Sequence, residues 1–465
     1  MPRVHEHPLF DLIGVGIGPF NLGLAAMITK VPEVKAVFFE RKPSFNWHPG
    51  LLIEGTTLQV PFMADLVTMA DPTSPYSFLN YLKEQNRLYQ FYFLERFHIP
   101  RREYNHYCRW VAGQLPSCRF GSEVTSIEWV KAEPHDHFRV KVTERSTSQQ
   151  SEYRAKNLVL GVGSVPHIPP DLHNLPGDDV FHSGEFLNRL DRCRQASSIT
   201  VIGSGQSAAE IFYTLLQEQK DHGYRLDWLT RSDGFFPMEY SKLGLEHFSP
   251  DYTEYFYSLP QAKRDSRLRK QDLLYKGISA KTIADLYDLL YERTVAGESP
   301  PVRLLAQTEV QEITPVSGGG KRRYQLSCLH REQDQRFQHE SEVVILATGY
   351  TRQIPGCLSA LHPLLCWDDQ GRYVVKADYR LELTEKTDCA IFVQNGELHT
   401  HGVGAPDLGL GAHRNSVIIN TLTGQTVYPV FRKNVFQQFG LRSPEPDAPV
   451  LSDRKDSSLF STTRG

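Results

Sequence analysis

Gly14-Val15-Gly16-Ile17-Gly18-Pro19 decides the fold of this chain, because it directly follows the apolar run from Phe10 to Ile13. A short apolar run followed by closely spaced glycines indicates a strand that turns into a helix. The glycines let the backbone turn tightly and approach a pyrophosphate, which then lies at the helix N-terminus. We therefore predict contacts with a dinucleotide at Gly14, Gly16, Gly18 and Pro19.

A second turn of the same kind, Gly203-Ser204-Gly205-Gln206-Ser207-Ala208, follows the apolar run from Ile199 to Ile202. One such turn is a weak signal, but two in one chain indicate two bound dinucleotides, most simply a flavin and a nicotinamide. The predicted contacts in the second turn are Gly203, Gly205, Gln206 and Ser207.

The charged residue after the second strand of each unit indicates which dinucleotide the unit binds. The apolar strand Ala36 to Phe39 ends in Glu40, and an acid there suits the free ribose hydroxyls of FAD or NAD. The run Leu226 to Thr230 ends in Arg231, whose planar guanidinium matches a 2′-phosphate. These residues predict FAD in the first unit and NADPH in the second. The alternative is that Glu40 and Arg231 are ordinary charges at strand ends.

Composition argues against several other classes of protein. The net charge of -3 gives no argument for nucleic-acid or membrane binding. No apolar run reaches the roughly 18 residues of a membrane span, and the polar start lacks a signal sequence, so we expect a cytoplasmic protein. The seven cysteines occur singly, which favours neither a dithiol reductase nor a zinc site, and we predict no bound metal.

The order of apolar runs predicts an α/β fold with two Rossmann-like dinucleotide-binding domains and a smaller, mostly helical substrate domain. Residues 236–300 interrupt the second unit and place Ile283, Leu286, Tyr287 and Leu290 on one helical face, so we interpret them as a substrate-facing insertion. The expected FAD-binding domain comprises 1–165 and 354–443, and the NADPH-binding domain comprises 166–235 and 301–353. Residues 444–465 are expected to form a disordered tail.

Several longer motifs occur in the order typical of one enzyme family. They are Phe45-Asn46-Trp47-His48-Pro49-Gly50, Leu58-Gln59-Val60-Pro61-Phe62, the block from Thr73 to Leu82, Ala347-Thr348-Gly349-Tyr350, and His399-Thr400-His401-Gly402 followed by Leu408-Gly409-Leu410. An Ala-Thr-Gly strand end is common among flavoproteins, whereas the Trp-His-Pro-Gly loop and the block with Ser-Pro-Tyr-Ser-Phe-Leu are much more specific. Over most of its length the chain resembles the flavin-dependent N-hydroxylating monooxygenases of siderophore biosynthesis, the lysine/ornithine N-monooxygenase family.

This resemblance implies that NADPH reduces FAD, that reduced flavin captures dioxygen as a C4a-hydroperoxide, and that a neutral primary amine takes up the distal oxygen. It implies roles at the reacting centre for Gln59, near the reactive edge of the flavin, and for His48. From the residues alone, the alternatives are a glutamine in a surface turn and a hydrogen-bonded core histidine. By analogy with the family, we expect a homodimer or homotetramer. Further expected cofactor contacts are Arg41, Trp47, Thr348, Gly349, Tyr350, Leu408 and Gly409.

The chain departs from the family at two positions that bear on the substrate. Five residues after Gln59, where the amino-acid hydroxylases carry a lysine for the substrate α-carboxylate, this chain has Ala64. A second polar contact of the family aligns with Leu245, just before Glu246. A charge-assisted hydrogen bond contributes roughly 1.5–3 kcal/mol, and burying a carboxylate without a partner costs more. We therefore predict a small aliphatic diamine, cadaverine or putrescine, as the substrate, with its N-hydroxylated product used in a hydroxamate siderophore.

Other assignments stay open at this point. Lys242 or Lys276 could supply the missing positive charge, in which case the substrate would be L-lysine or L-ornithine. The distal ammonium of a diamine needs an acceptor, for which Glu246 and Glu397 are candidates. A carbonyl-oxidising flavin monooxygenase would share both glycine turns. Between them it would carry a sequence motif that differs from the stretch Val180 to Phe186 of this chain. A nucleotide-binding regulator without flavin would be colourless.

Overall fold

The computed structural model describes residues 8–133, 135–172, 178–316 and 322–441, so the tail expected at 444–465 lies outside the described residues. The strands are β1 (Leu9–Val15), β2 (Ala36–Glu40), β3 (Cys118–Phe120), β4 (Ser122–Val130), β5 (His137–Glu144), β6 (Gln150–Leu160), β7 (Val165–Pro166), β8 (Val180–His182), β9 (Ser198–Ile202), β10 (Arg225–Leu229), β11 (Val302–Leu305), β12 (Thr308–Val316), β13 (Arg323–His330), β14 (Gln335–Ser341), β15 (Val343–Leu346), β16 (Tyr350–Thr351) and β17 (Ala390–Val393). The α-helices are α1 (Pro19–Ile28), α2 (Phe78–Glu84), α3 (Leu88–Leu94), α4 (Arg101–Ala112), α5 (Phe186–Arg194), α6 (Gln206–His222), α7 (Lys242–Leu245), α8 (Pro250–Ser258), α9 (Gln261–Arg269), α10 (Ala280–Glu292), α11 (Leu398–His401) and α12 (Gly411–Thr423).

The first large sheet has seven strands and carries the first glycine turn near its centre. Its order is β3-β2-β1-β6-β5-β4, and β17 pairs in parallel with the C-terminal part of β6. The central strands pair in parallel, whereas β4 and β5 add an antiparallel edge. Strands buried on both faces read as continuous apolar runs, and Leu12, Ile13 and Phe38 are completely buried. Because β17 comes from residues 390–393, two distant parts of the chain build this sheet.

The second large sheet is entirely parallel and carries the second glycine turn. Its order is β11-β10-β9-β15-β8. Helix α6 connects β9 to β10 as a β-α-β unit and buries Ala208, Ile211 and Leu215 in the core beneath the sheet. The predicted α/β fold class is confirmed.

The chain between β10 and β11 is helical, as the apolar spacing predicts. It forms α7 to α10, and α10 packs Ile283, Leu286 and Leu290 against the core of the second sheet. A three-stranded antiparallel sheet, in the order β12-β13-β14, follows β11. The sequence pattern does not predict this small sheet, because its strands are half exposed and lack the long apolar runs of buried strands.

A short antiparallel pair joins the two large sheets. Strand β7 follows β6 of the first sheet, and β16 follows β15 of the second. The backbone N–H of His167 donates to the carbonyl of Gly349 at 2.9 Å. The Ala-Thr-Gly-Tyr motif therefore lies where the chain passes between the two sheets.

The described part of the chain lacks the features of several other protein classes. None of its helices is long and apolar enough to cross a membrane. The same residues contain no group of His, Cys, Asp and Glu side chains arranged to hold a metal ion. All seven cysteines are free thiols, and five of them are buried.

Candidate functional site

The first glycine turn brings the backbone very close to its neighbours. Gly16 has a φ of +85°, and a Cβ atom there would lie 2.6 Å from the carbonyl oxygen of Gly161. A Cβ atom on Gly14 would lie 2.0 Å from the ring of Phe38. Gly18 is the N-cap of α1 and provides no side-chain cap, so the first N–H groups of the helix stay available to an anion. The turn therefore fits a pyrophosphate.

Glu40 lies at the end of β2, beside this turn. Its carboxylate accepts hydrogen bonds from the backbone N–H groups of Ile17 and Lys42, both at 2.9 Å. Arg41, the next residue, is exposed. These bonds hold Glu40 where the ribose of a dinucleotide on the turn is expected.

The second glycine turn has the same features. Gly203 has a φ of +146°, and a Cβ atom there would lie 2.2 Å from the carbonyl oxygen of Ala347. Gly205 is the N-cap of α6 without a side-chain cap, and Ser207 lies in the first turn of that helix. Arg231 lies two residues beyond β10 and is exposed, so its guanidinium can reach a phosphate group. This turn also fits a dinucleotide.

Gln206 binds the helical insertion with its side chain. Its Oε1 accepts a hydrogen bond from the Ser279 N–H at 2.7 Å, and its Nε2 donates to Thr282 and Glu210 at 3.0 and 2.8 Å. Glu210 also forms a bidentate ion pair with Arg101 of α4, with both distances at 2.7 Å. These bonds hold the start of α6 against both the insertion and the first unit. The glycine motif predicts only a cofactor contact for Gln206, because the sequence does not show partners so distant along the chain.

His48 and Tyr350 meet between the two sheets. The His48 backbone has a left-handed φ of +47°, and its ring packs edge-on against Trp47 and Tyr350, with ring centroids 5.0 and 5.4 Å apart. Burial lowers the pKa of His48 to about 4. The ring is therefore neutral near pH 7 and can donate one hydrogen bond and accept another without contributing a charge.

The Ala-Thr-Gly-Tyr motif is held in place by His182 and His167. The Nδ1 of His182 accepts a hydrogen bond from Gly184 at 3.1 Å, so its Nε2 is the donor to the Gly349 carbonyl at 2.9 Å. The Thr348 hydroxyl donates to the carbonyl of His167. These bonds fix Thr348 and Gly349 just before Tyr350, whose ring contacts His48.

The side-chain nitrogen of Gln59 is buried and has no acceptor among the described residues. Its backbone carbonyl accepts a hydrogen bond from the Tyr240 hydroxyl at 3.2 Å, which fixes the residue beside the insertion. The Oδ1 of Asn415 is also buried without a donor in that part of the chain. Leaving a buried polar group unpaired costs about 1–3 kcal/mol, so both atoms call for a bound group. Asn415 lines a small open cleft together with Pro19, Phe20, Asp65, Leu66, Tyr104, Leu408 and Gly411.

The Asn415 oxygen suits the flavin expected beside the cleft, because an isoalloxazine ring carries a hydrogen-bond donor along its edge. The open N-terminus of α1 borders the same cleft through Pro19 and Phe20. The residues present therefore suit FAD.

Ala64 lies next to the C-terminal segment that contains Leu408 and Gly409. Ala64 is only 6% exposed, and a Cβ atom on Gly409 would lie 3.8 Å from the Cβ of Ala64. The same added atom would lie 2.8 Å from Oδ1 of Asp407, which accepts a hydrogen bond from the Gly409 N–H. Asp65 and Leu408, the neighbours of these residues in sequence, both line the cleft. The predicted substrate residue Ala64 therefore lies beside the predicted flavin residues Leu408 and Gly409.

Leu245 and Glu246 lie at the end of the short helix α7. Leu245 is 40% exposed. Glu246 accepts hydrogen bonds from the backbone N–H groups of Phe436 and Gln437 at 3.0 and 2.9 Å, and these bonds lower its pKa. The Glu246 carboxylate is thus already used to hold the C-terminal segment.

The two lysines considered as substitutes for the missing cation lie on the insertion. Lys242 begins α7 and is exposed. Lys276 forms an ion pair with Asp272 at 2.8 Å, and its carbonyl oxygen would lie 3.5 Å from a Cβ atom on Gly205. Lys276 therefore neighbours the second glycine turn, and no contact favours either lysine as a partner for a substrate carboxylate at Ala64.

Glu397 forms a buried ion pair with Arg414, which sequence reasoning missed. The Arg414 Nε lies 3.1 Å from Oε1 of Glu397, and the two side chains are 2% and 0% exposed. The Arg414 guanidinium also stacks 4.7 Å from the ring centre of Phe20 and donates to the carbonyl of Ala405 at 2.7 Å. The sequence feature that indicates this pair is Arg414 itself, a single cation on the same apolar face of α12 as Ile418.

We expect Arg414→Met to lower the free energy of unfolding by about 3–5 kcal/mol, because it leaves the Glu397 charge buried without a partner. Urea unfolding followed by circular dichroism measures this decrease. The double variant Arg414→Met/Glu397→Gln removes both charges and should recover most of the stability. A single variant that unfolds at the wild-type urea concentration would contradict the role given to this pair.

Comparison with known proteins agrees with the order of the motifs. The family model described as L-lysine 6-monooxygenase/L-ornithine 5-monooxygenase matches residues 8–352. The chain is 46% identical to the rhizobactin siderophore biosynthesis protein RhbE of Rhizobium meliloti, over 94% of this chain and 96% of that protein. It is 42% identical to a putrescine N-hydroxylase of Shewanella oneidensis, over 98% of this chain and 88% of that protein. The FAD-bound crystal structure of DfoA, the desferrioxamine-pathway cadaverine monooxygenase of Erwinia amylovora, matches with a TM-score of 0.89 and 41% identity, covering 94% of this chain and 100% of that chain.

Proposed function

The chain belongs to the L-lysine 6-monooxygenase/L-ornithine 5-monooxygenase family, and on this basis we propose that it N-hydroxylates one terminal amine of cadaverine or putrescine for siderophore biosynthesis. The observation that carries the substrate class is the buried Ala64 beside Gly409. Amino-acid hydroxylases of the family have a lysine there for the substrate carboxylate. The putrescine N-hydroxylase and the cadaverine monooxygenase among the compared proteins support the same substrate class.

Energetics favour the diamine at this position. Bringing an α-carboxylate next to Ala64 removes water from the charge and returns no cation. The missing charge-assisted hydrogen bond would contribute roughly 1.5–3 kcal/mol, so its absence corresponds to a penalty of about 10- to 150-fold. A diamine has no carboxylate and therefore suffers no such penalty.

FAD and NADPH are the cofactors in this proposal. The first glycine turn would hold FAD, with Glu40 beside its ribose and Gln59 and Asn415 beside its ring. The second glycine turn would hold NADPH, with Arg231 beside its 2′-phosphate. The chemistry that the bound cofactors supply is hydride transfer and the activation of dioxygen. One oxygen atom enters the amine, the other leaves as water, and NADPH provides the two electrons.

The protein residues bind the amine, orient it and keep water away. A free alkylamine resembles lysine, with a pKa of ~10.4, so the reacting amine must lose its proton on entering the site. Burial in the site lowers the pKa of the reacting amine, because burial disfavours the charged form. Trp47, His48 and Tyr350 close the gap between the two sheets with uncharged rings.

Amine-dependent hydroxylation by the FAD-loaded protein tests the proposed activity. Cadaverine, putrescine, L-lysine and L-ornithine are each incubated with NADPH and oxygen, and hydroxylated amines are measured by mass spectrometry. We expect an N-hydroxylated diamine and at least about 10-fold less product from either amino acid. Product from the amino acids alone would keep the family and overturn the substrate class. A colourless protein that takes up no flavin would overturn the activity itself.

A cytoplasmic location and a homo-oligomeric state are also part of the proposal. Seven free cysteines suit a reducing compartment. Size-exclusion chromatography with light scattering gives the oligomeric state directly.

A further inference from the structure

We propose that Asp407 binds the distal ammonium group of the diamine, so that this enzyme recognises the far end of its substrate with an anion. The inference rests on the proposed diamine N-hydroxylation and adds a specificity-determining residue to it. The sequence alone offers Glu246 and Glu397 for this role.

Asp407 is placed beside the residue that distinguishes this chain from the amino-acid hydroxylases. A Cβ atom on Gly409 would lie 2.8 Å from Oδ1 of Asp407 and 3.8 Å from the Cβ of Ala64. The Asp407 carboxylate and Ala64 therefore both lie close to Gly409. Leu408, the next residue, lines the cleft to which Asn415 presents a buried, unpaired oxygen.

Asp407 also differs from the nearby acids in its partners. Glu397 is paired with Arg414, Glu246 accepts two backbone hydrogen bonds from the C-terminal segment, and Asp65 accepts four hydrogen bonds from its own loop and α2. Asp407 takes part in no ion pair among the described residues, and the hydrogen bonds it accepts come from the backbone of the turn that it caps. Asp407 and Glu246 thus have neither an ion-pair partner among the described residues nor more than two backbone donors, and of these two Asp407 is the one next to Gly409.

The electrostatic surroundings agree with a missing cation. Burial raises the pKa of Asp407 to about 6, while the backbone of Gly409 and the charge of Arg414 oppose that rise. Burial, with a smaller contribution from the charge of Asp407, raises the pKa of Tyr240 to about 12. The Asp407 carboxylate is therefore near Tyr240, whose hydroxyl donates a hydrogen bond to the backbone carbonyl of Gln59. An ammonium group bound here would supply the charge that the folded chain does not.

The test is Asp407→Asn, because asparagine caps a helical turn as well as aspartate but carries no charge. Wild type, Asp407→Asn and the surface control Asp285→Asn are assayed with cadaverine, putrescine and the monoamine pentylamine. We expect the KM of both diamines to rise about 10- to 100-fold in Asp407→Asn only, because this variant removes one charge-assisted hydrogen bond to the ammonium group. The KM of pentylamine and the rate of flavin reduction by NADPH should stay within about 2-fold of the wild type.

Two further measurements distinguish ammonium binding by Asp407 from its role as the cap of a helical turn. In the wild type, kcat/KM for a diamine should fall as the pH drops through about 6, because the Asp407 carboxyl takes up a proton and loses its charge. This step should be missing from Asp407→Asn. Asp407→Glu moves the charge one methylene further, so it should raise the ratio of putrescine to cadaverine turnover.

The outcomes distinguish this inference from the proposed function. A wild type that hydroxylates diamines while Asp407→Asn keeps the same diamine KM would overturn the role of Asp407 alone. An equal effect on pentylamine and the diamines would make Asp407 a structural cap and overturn it as well. A wild type that makes no hydroxylated diamine would overturn the proposed function and, with it, this inference.

Discussion

Ala64→Lys is expected to move the enzyme from diamines towards amino acids. The new ammonium group would offer a partner to a substrate α-carboxylate, and it would also lie beside Asp407 and repel a second cation. The ratio of kcat/KM for L-lysine or L-ornithine to that for the preferred diamine should rise by about 10- to 100-fold, the equivalent of one charge-assisted hydrogen bond. Steady-state kinetics that quantify the hydroxylated product, rather than NADPH oxidation alone, give this ratio.

Ala64→Met is the matched control, because methionine has a similar length and no charge. It should lower turnover of every substrate by filling the buried space, without favouring the amino acids. A lysine variant with an unchanged substrate ratio, or a methionine variant with the same shift, would remove the support that Ala64 gives to the diamine.

Arg231→Ala is expected to raise the KM for NADPH by about 10- to 100-fold and to leave the KM for NADH nearly unchanged. Arg231 is exposed directly beyond β10, where its guanidinium can pair with the 2′-phosphate that only NADPH carries. The measurement is the rate of anaerobic flavin reduction at increasing concentrations of each nucleotide.

Arg231→Lys keeps the charge but loses the planar fork, so its KM for NADPH should fall between those of the wild type and Arg231→Ala. Equal effects of Arg231→Ala on NADPH and NADH would contradict a contact with the 2′-phosphate and make Arg231 an ordinary charge at a strand end.

The fold could be predicted where buried strands are apolar throughout. The apolar runs before Gly14 and Gly203 lie in β1 and β9, and the spacing of Ile283 and Leu286 marks α10. The half-exposed sheet β12-β13-β14 could not be predicted in this way, because its side chains alternate between water and a thin core. Its strands lack the continuous apolar signal on which the prediction depends.

The candidate site was predictable only in part for a similar reason. Gly16, Glu40 and Ala64 belong to local motifs, so the sequence alone points to them. Arg414 and Asp407 depend on partners that only the folded chain brings close. In sequence, Asp407 resembles an ordinary turn residue. An aspartate that caps a helical turn and one that binds an ammonium group are the same residue type, so the sequence does not distinguish the two roles.

The substrate class is tested most directly by competition in one vessel. Wild-type enzyme, FAD, oxygen and limiting NADPH are supplied with equal concentrations of cadaverine, putrescine, L-lysine and L-ornithine, and the hydroxylated products are counted by mass spectrometry. A buried alanine in place of a carboxylate-binding lysine predicts that N-hydroxylated diamine exceeds hydroxylated amino acid by at least about 10-fold. A mixture dominated by hydroxylated lysine or ornithine would contradict the diamine assignment and show that another cation binds the carboxylate.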